Sequence, residues 1–186
     1  MAEAPGPPRW RAVVKGVLFA ALAANLAIFA WRGERTEALE SAAWLTLLLL
    51  YALEIRHPAW LHGRRRQTLD GLRLAALAGI VAAEVGYLHS GDWLDAANAA
   101  LWIAVVLLLE FEVRRPGLTA RHRTGIKTAA GVLYAGLAVL VCAWVWRGEW
   151  FDAWDAALWL AAFVILEMNA LDDAAVVAAT HSERLQ

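Results

Sequence analysis

Six stretches of mostly apolar residues, each long enough to cross a bilayer, constrain this chain more than anything else in it. They run approximately Arg11–Trp31, Glu37–Arg56, Leu69–Leu88, Asp95–Arg114, Ile126–Trp146 and Asp152–Leu171. At 1.5 Å rise per residue, about 20 such residues span the hydrocarbon core. Apolar residues make up 61% of the 186 and charged residues 19%. A soluble domain is roughly 45–50% apolar, so a single water-soluble core is ruled out. Strand-like alternation is absent, which excludes a membrane β-barrel. The net charge of -1 gives no reason to expect nucleic acid as a partner, and one cysteine, Cys142, cannot form an intrachain disulfide.

The breaks carry turn chemistry: Arg32-Gly33-Glu34, His89-Ser90-Gly91-Asp92 and Arg147-Gly148-Glu149, with Pro58 and Pro116 in the other two connections. Connections after spans 1, 3 and 5 are short and acidic, with Glu34, Glu37, Asp92, Asp95, Glu149 and Asp152. Those after spans 2 and 4 are basic, with Arg56, Arg64, Arg65, Arg66 and Arg73 in one and Arg114, Arg115, Arg121, Arg123 and Lys127 in the other. Lys and Arg are retained on the cytoplasmic side. Both termini are therefore expected inside a bacterial-type plasma (cell inner) membrane, with the short loops outside. The first span is expected to be retained rather than cleaved as a signal.

The chain also resembles itself. Shifted by 57 residues, the fourth span falls on the sixth: Gly91, Trp93, Asp95, Trp102 and Glu110 meet Gly148, Trp150, Asp152, Trp159 and Glu167. Shifted by 58, the second falls on the fourth: Gly33, Trp44, Glu54, Arg56 and Pro58 meet Gly91, Trp102, Glu112, Arg114 and Pro116. The expected fold is thus an all-α integral membrane protein of six transmembrane helices, arranged as three tandem hairpins in parallel repeat. The hairpins cover residues 9–60, 65–117 and 121–173, between a flexible lead at 1–8 and a cytoplasmic tail at 174–186. Parallel repeats are related by an axis along the membrane normal, so a pseudo-threefold bundle is the simplest packing. Odd spans carry small residues at spacing four, such as Ala75/Gly79, Gly79/Ala83 and Gly131/Ala135. Such spacing permits close helix approach, and these spans are expected nearer the axis.

Glu84 is the most suspicious side chain, because it stands among Val81, Ala82, Ala83 and Val85 inside span 3. A charge at mid-span costs about 2.5–3.5 kcal/mol on insertion scales. It is a candidate ion or proton site, with Asn25 at similar depth as its expected partner; the bland alternative is a hydrogen-bonded carboxyl joining helices. Glu54, Glu110, Glu112 and Glu167 form a candidate inner acidic cluster, although pairing with snorkelling arginines is the favoured explanation for them. Asp95, Asn98, Asp152 and Asp155 open spans 4 and 6, where the helix dipole favours acids; a weak outer cation site is the alternative. Arg64, Arg65, Arg66, Arg121 and Arg123 are candidate contacts for anionic lipid. Of eleven tryptophans, Trp31, Trp93, Trp146, Trp150 and Trp154 are expected in an outer aromatic belt and Trp10 and Trp60 in an inner one. Trp44, Trp102 and Trp159 recur deeper, one per repeat, and are expected to pack.

No catalytic set is legible, so an enzyme is not expected. The histidines, 57, 62, 89, 122 and 181, all avoid mid-span positions, which argues against haem. There is no HExxH zinc motif, CxxC pair or Gly-rich phosphate loop, and no cofactor or metal is expected. The leading expectation is a structural or accessory subunit of a larger membrane complex. The alternative is a small transporter or channel for protons, cations or a small solute using an intramembrane carboxylate. Expected partners are the lipid bilayer, anionic lipid, and a membrane subunit or a second copy of the chain.

Overall fold

Three glycines set the fold. Gly33, Gly91 and Gly148 take φ of 81°, 83° and 79°, the left-handed conformation in which a helix stops at low cost only at glycine. Each turn closes in the same way. The amides of Glu34, Asp92 and Glu149 donate to the carbonyls of Phe29, Tyr87 and Trp144, five residues back. The next helix starts at once, with Ala38, Ala96 and Ala153 donating to the carbonyls of Glu34, Asp92 and Glu149. A connection this short forces the flanking helices antiparallel.

The computed structural model describes residues 9–56 and 63–165, which are helices and the short breaks between them. The helices are α1 (Arg9–Arg32), α2 (Arg35–Arg56), α3 (Arg64–Ser90), α4 (Trp93–Arg114), α5 (Pro116–Arg121) and α6 (Arg123–Arg147), followed by α7 over 150–165. Five of them, α1 to α4 and α6, are long and apolar enough to cross a membrane. The sixth expected span is helical from 150 to 165; the rest of it, with Glu167, lies outside the described residues, as do Pro58 and Trp60. The short α5 within the basic connection was not legible in the sequence; it opens with Pro116, whose fixed φ suits a first helical position.

Apolar side chains from α1, α2, α3, α4, α6 and α7 share one core: Leu22, Trp44, Ile80, Trp102, Leu137 and Trp159 are among its buried members. Ala83 and Tyr87 pack on Ala96 and Ala99, and Trp144 packs on Ala153 and Ala156. The bundle closes between its two ends in sequence. Phe29 of α1 meets Phe151 of α7 edge-on at 5.0 Å, and the Arg32 guanidinium lies 5.2 Å over the same ring. The tryptophans expected in the outer belt, Trp31, Trp93, Trp146, Trp150 and Trp154, are exposed at the end that carries the glycine turns.

The expectation that α1, α3 and α6 lie nearest the centre is corrected. The centre is lined by α2, α4 and α7, which place Trp44, Trp102 and Trp159 side by side around it. Gly79 and Gly86 of α3 and Gly136 of α6 serve the seams between helices instead. A Cβ on Gly79 would meet Ala43 of α2 at 3.3 Å, one on Gly86 would meet Thr36 at 3.0 Å, and one on Gly136 would meet Leu101 of α4 at 3.1 Å. Valine at Gly86 should therefore overpack the α2–α3 seam and destabilise by about 1–3 kcal/mol. Alanine at Gly131, where nothing lies within 4 Å, should be neutral or stabilising, since alanine is the better helix former. Titrating both variants with SDS from mild detergent micelles checks this; equal midpoints would remove the seam assignment.

Candidate functional site

The tryptophans at the centre have polar residues one turn above them. On α2 the order is Glu37, Glu40, Trp44; on α4 it is Asp95, Asn98, Trp102; on α7 it is Asp152, Asp155, Trp159. The spacing of three and then four residues keeps each trio on one helix face. The successive levels lie about 4.5 and 6 Å apart along the helix.

These faces converge on two adjoining pockets. The deeper is lined by Glu40, Ser41, Trp44, Asn98, Trp102, Asp155, Trp159 and Phe163. The shallower shares Glu40, Ser41, Asn98 and Asp155 and adds Glu37, Asp95 and Asp152, with Phe29, Tyr87 and Trp144 at its walls. They offer about 20 and 30 Å³ to water-sized occupants, enough for a water or two in each. Trp102 tilts against Phe163 at 4.6 Å and helps to close the floor.

The carboxylates are held by neutral donors. The Tyr87 hydroxyl donates to Glu40 Oε2 at 2.7 Å, and the Trp44 indole N–H donates to Glu40 Oε1 at 3.3 Å. Asn25 Nδ2 donates to Asp155 Oδ1 at 2.7 Å. Asn98 Oδ1 is buried without a hydrogen-bond partner among the described residues. The acids feel one another: Asp95 lies within electrostatic reach of Asp152, Glu37, Asp92 and Glu40, and Asp152 within reach of Glu34, Glu149 and Glu37, with Arg32 as its basic neighbour. At the mouth, Glu34 pairs with Arg32 at 2.9 Å and Glu149 with Arg147 at 3.0 Å, while Asp92 accepts from the Ser90 hydroxyl.

The residues singled out from sequence fall in different places. Asn25 is buried in this site, 4% exposed, but its partner is Asp155 and not Glu84. Glu84 stands on α3 at the border between buried Ile80, Ala83 and Tyr87 and exposed Leu77, Val81 and Leu88. Its Oε2 is buried with no hydrogen-bond partner among the described residues. Glu54 and Glu110 are taken up by arginines: Arg73 binds Glu54 at 2.7 Å and Arg114 binds Glu110. Glu112 is half-buried. Arg64, Arg65, Arg66, Arg121 and Arg123 are exposed at the end opposite the glycine turns.

Glu40 was missed. Its signal was available, because the shifts of 58 and 57 that align Trp44, Trp102 and Trp159 also align Glu40, Asn98 and Asp155. Among the described residues no three His, Cys, Asp or Glu side chains are placed to hold a metal ion together. Comparison with protein-family models, with curated proteins and with solved structures returns no match.

Proposed function

We propose that this chain is a small multi-pass membrane transporter or channel for protons or monovalent cations, built as three repeated helix hairpins around a central acidic vestibule. The observation that carries the reading is the convergence of Glu37, Glu40, Asp95, Asp152 and Asp155 on one water-sized pocket inside apolar helices. Ionisable groups within membrane spans are costly and mark ion or proton pathways. Carboxylates crowded at low dielectric repel strongly, and a proton or small cation among them relieves that repulsion. Glu40 lies two helical turns beyond Gly33, roughly 10 Å into the bundle. The matching turns at Gly33, Gly91 and Gly148 and the in-register trios support the repeat, with 150–165 as the start of a sixth span. Basic residues on the opposite end support cytoplasmic termini, so that the vestibule opens outward above its tryptophan floor.

A second reading rests on Glu84. A carboxyl oxygen with no hydrogen-bond partner among the described residues, beside the exposed stripe Leu77, Val81 and Leu88, suits a helix of another subunit that would supply a donor. On that reading the chain is an accessory subunit of a larger membrane complex.

One experiment separates the two. Purified protein in liposomes is tested for proton, Na+ and K+ flux against empty liposomes. Flux above background supports the vestibule. Absent flux, together with stoichiometric co-purification of other membrane subunits in mild detergent, overturns transport and leaves the accessory reading.

A further inference from the structure

We propose that Glu40, Ser41, Asn98 and Asp155 form a binding site for one dehydrated sodium ion, one helical turn above the central tryptophans. The proposal rests on the vestibule reading given above and names the ion. Three of the ligands come from one position of the repeat. The shifts of 58 and 57 residues bring Glu40, Asn98 and Asp155 into register, and all three line the deeper pocket. Each hairpin thus supplies one oxygen-bearing side chain to the same space: a carboxylate, an amide and a carboxylate.

Ser41 is an independent sign that the pocket takes a ligand. The same shifts set it against Ala99 and Ala156, which are 0% and 5% exposed. Alanine fills this position by packing alone, and only the first hairpin places a hydroxyl there. Ser41 is 6% exposed and lines both pockets. A helical serine or threonine often returns its hydroxyl to a carbonyl four residues back, as Thr46 does to Ala42 at 2.7 Å. The Ser41 hydroxyl has no hydrogen-bond partner among the described residues, and Asn98 Oδ1 stands in the same condition. Buried polar atoms in folded proteins are paired with something. Two open oxygens beside two carboxylates suit a hard cation. The donors on those carboxylates, Tyr87 and Trp44 on Glu40 and Asn25 on Asp155, are neutral groups. They fix the oxygens in place, leave the charges intact, and leave lone pairs open for an ion.

The chemistry narrows the choice of ion. Pockets of about 20 and 30 Å³ admit a bare ion with a water or two and no organic cation. A calcium ion takes about 6–8 oxygen ligands, rich in carboxylates, and magnesium demands a near-ideal octahedron. Among the described residues no three acidic, His or Cys side chains are placed to hold a metal together. Two carboxylates with two neutral oxygens fit a monovalent ion. Attraction to a full charge rises as the separation falls, so the smaller Na+ gains more from Glu40 and Asp155 than K+ does.

The test measures binding of radioactive sodium to the purified full chain in mild detergent by scintillation proximity. Binding should saturate, and unlabelled Na+ should displace it at least about tenfold better than K+, because charged ligands favour the smaller ion. Glu40→Gln should weaken binding at least about tenfold, and Ser41→Ala at least about threefold, as expected on removing a ligand from a charged partner. Ser41→Ala installs the residue that the other two hairpins carry, so its SDS unfolding midpoint should match the wild type. Glu110→Gln should bind as the wild type does. No saturable binding, equal displacement by K+, displacement by Ca2+ that exceeds that by Na+, or unchanged affinity in Ser41→Ala would each overturn the site. Proton flux in liposomes without Na+ binding would overturn the site and leave the vestibule reading standing. Na+ binding without flux of any ion would sustain the site and overturn transport.

Discussion

Liposomes carrying the double variant Glu40→Gln, Asp155→Asn should show proton or monovalent-cation flux at least about tenfold below wild type. Two unit charges 4 Å apart at an effective dielectric near 20 interact by about 4 kcal/mol, and tenfold requires only a third of that. The substitutions are chosen to spare the fold. Gln at 40 retains one oxygen to accept from the Trp44 indole, and its amide can donate to the Tyr87 hydroxyl oxygen, while Asn at 155 retains an oxygen for Asn25, so each present partner keeps a hydrogen bond. What changes is the charge facing the pocket. Glu110→Gln is the control: that carboxylate sits half exposed against Arg114, four residues away on the same helix, and its loss should leave flux unchanged. Wild-type flux that survives in the double variant would dissociate transport from the vestibule and return attention to Glu84.

The second large effect is on stability. Trp102→Ala should cost about 3–5 kcal/mol, the usual range for deleting a buried aromatic side chain. Trp102 is 4% exposed, lies 4.6 Å from the Phe163 ring and shares the central cluster with Trp44 and Trp159. Association of helices in lipid relies on such packing, because lipid tails are as apolar as the side chains. Trp146→Ala is the comparison. That side chain is 92% exposed at the turn end, and its removal should shift the unfolding free energy by less than about 0.5 kcal/mol. Reversible SDS unfolding of both variants in mixed micelles reads the difference. Equal costs would mean that the three central tryptophans do not hold the bundle together.

The fold and the site were unequally legible. Helix positions followed from apolar length, and the turns from glycine between charged residues, because a helix end is a local event that the residues around it decide. The structure extends these helices by a few residues: α3 starts at Arg64 rather than near Leu69, and α6 at Arg123 rather than near Ile126. Interior arginines were read as connection because they are polar, yet a helix continues past the hydrocarbon edge with no penalty. The site was legible only in pieces. Asp95, Asn98, Asp152 and Asp155 looked like dipole-favoured residues at helix starts, and nothing local distinguished that role from facing a shared pocket. Glu40 drew no attention, six residues into a helix with Glu37 and Arg35 nearby.

The sequence by itself determined that this is an all-helical chain with apolar helices of membrane-spanning length, where they turn, and which end of the bundle is basic. Each of these depends on hydropathy, glycine conformation and charge within a few residues. Only the tertiary structure decided which helices occupy the centre and which residues meet there. Small residues at spacing four permit close packing without naming the partner, and Gly79 and Gly86 proved to serve the seam with α2 rather than the centre. The polar faces of α2, α4 and α7 were then left to turn inward together, since apolar lipid offers Glu40, Asn98 and Asp155 no hydrogen-bond partners. Contacts such as Asn25 with Asp155, 130 residues apart, depend on how the hairpins close on one another, and no local pattern carries that information.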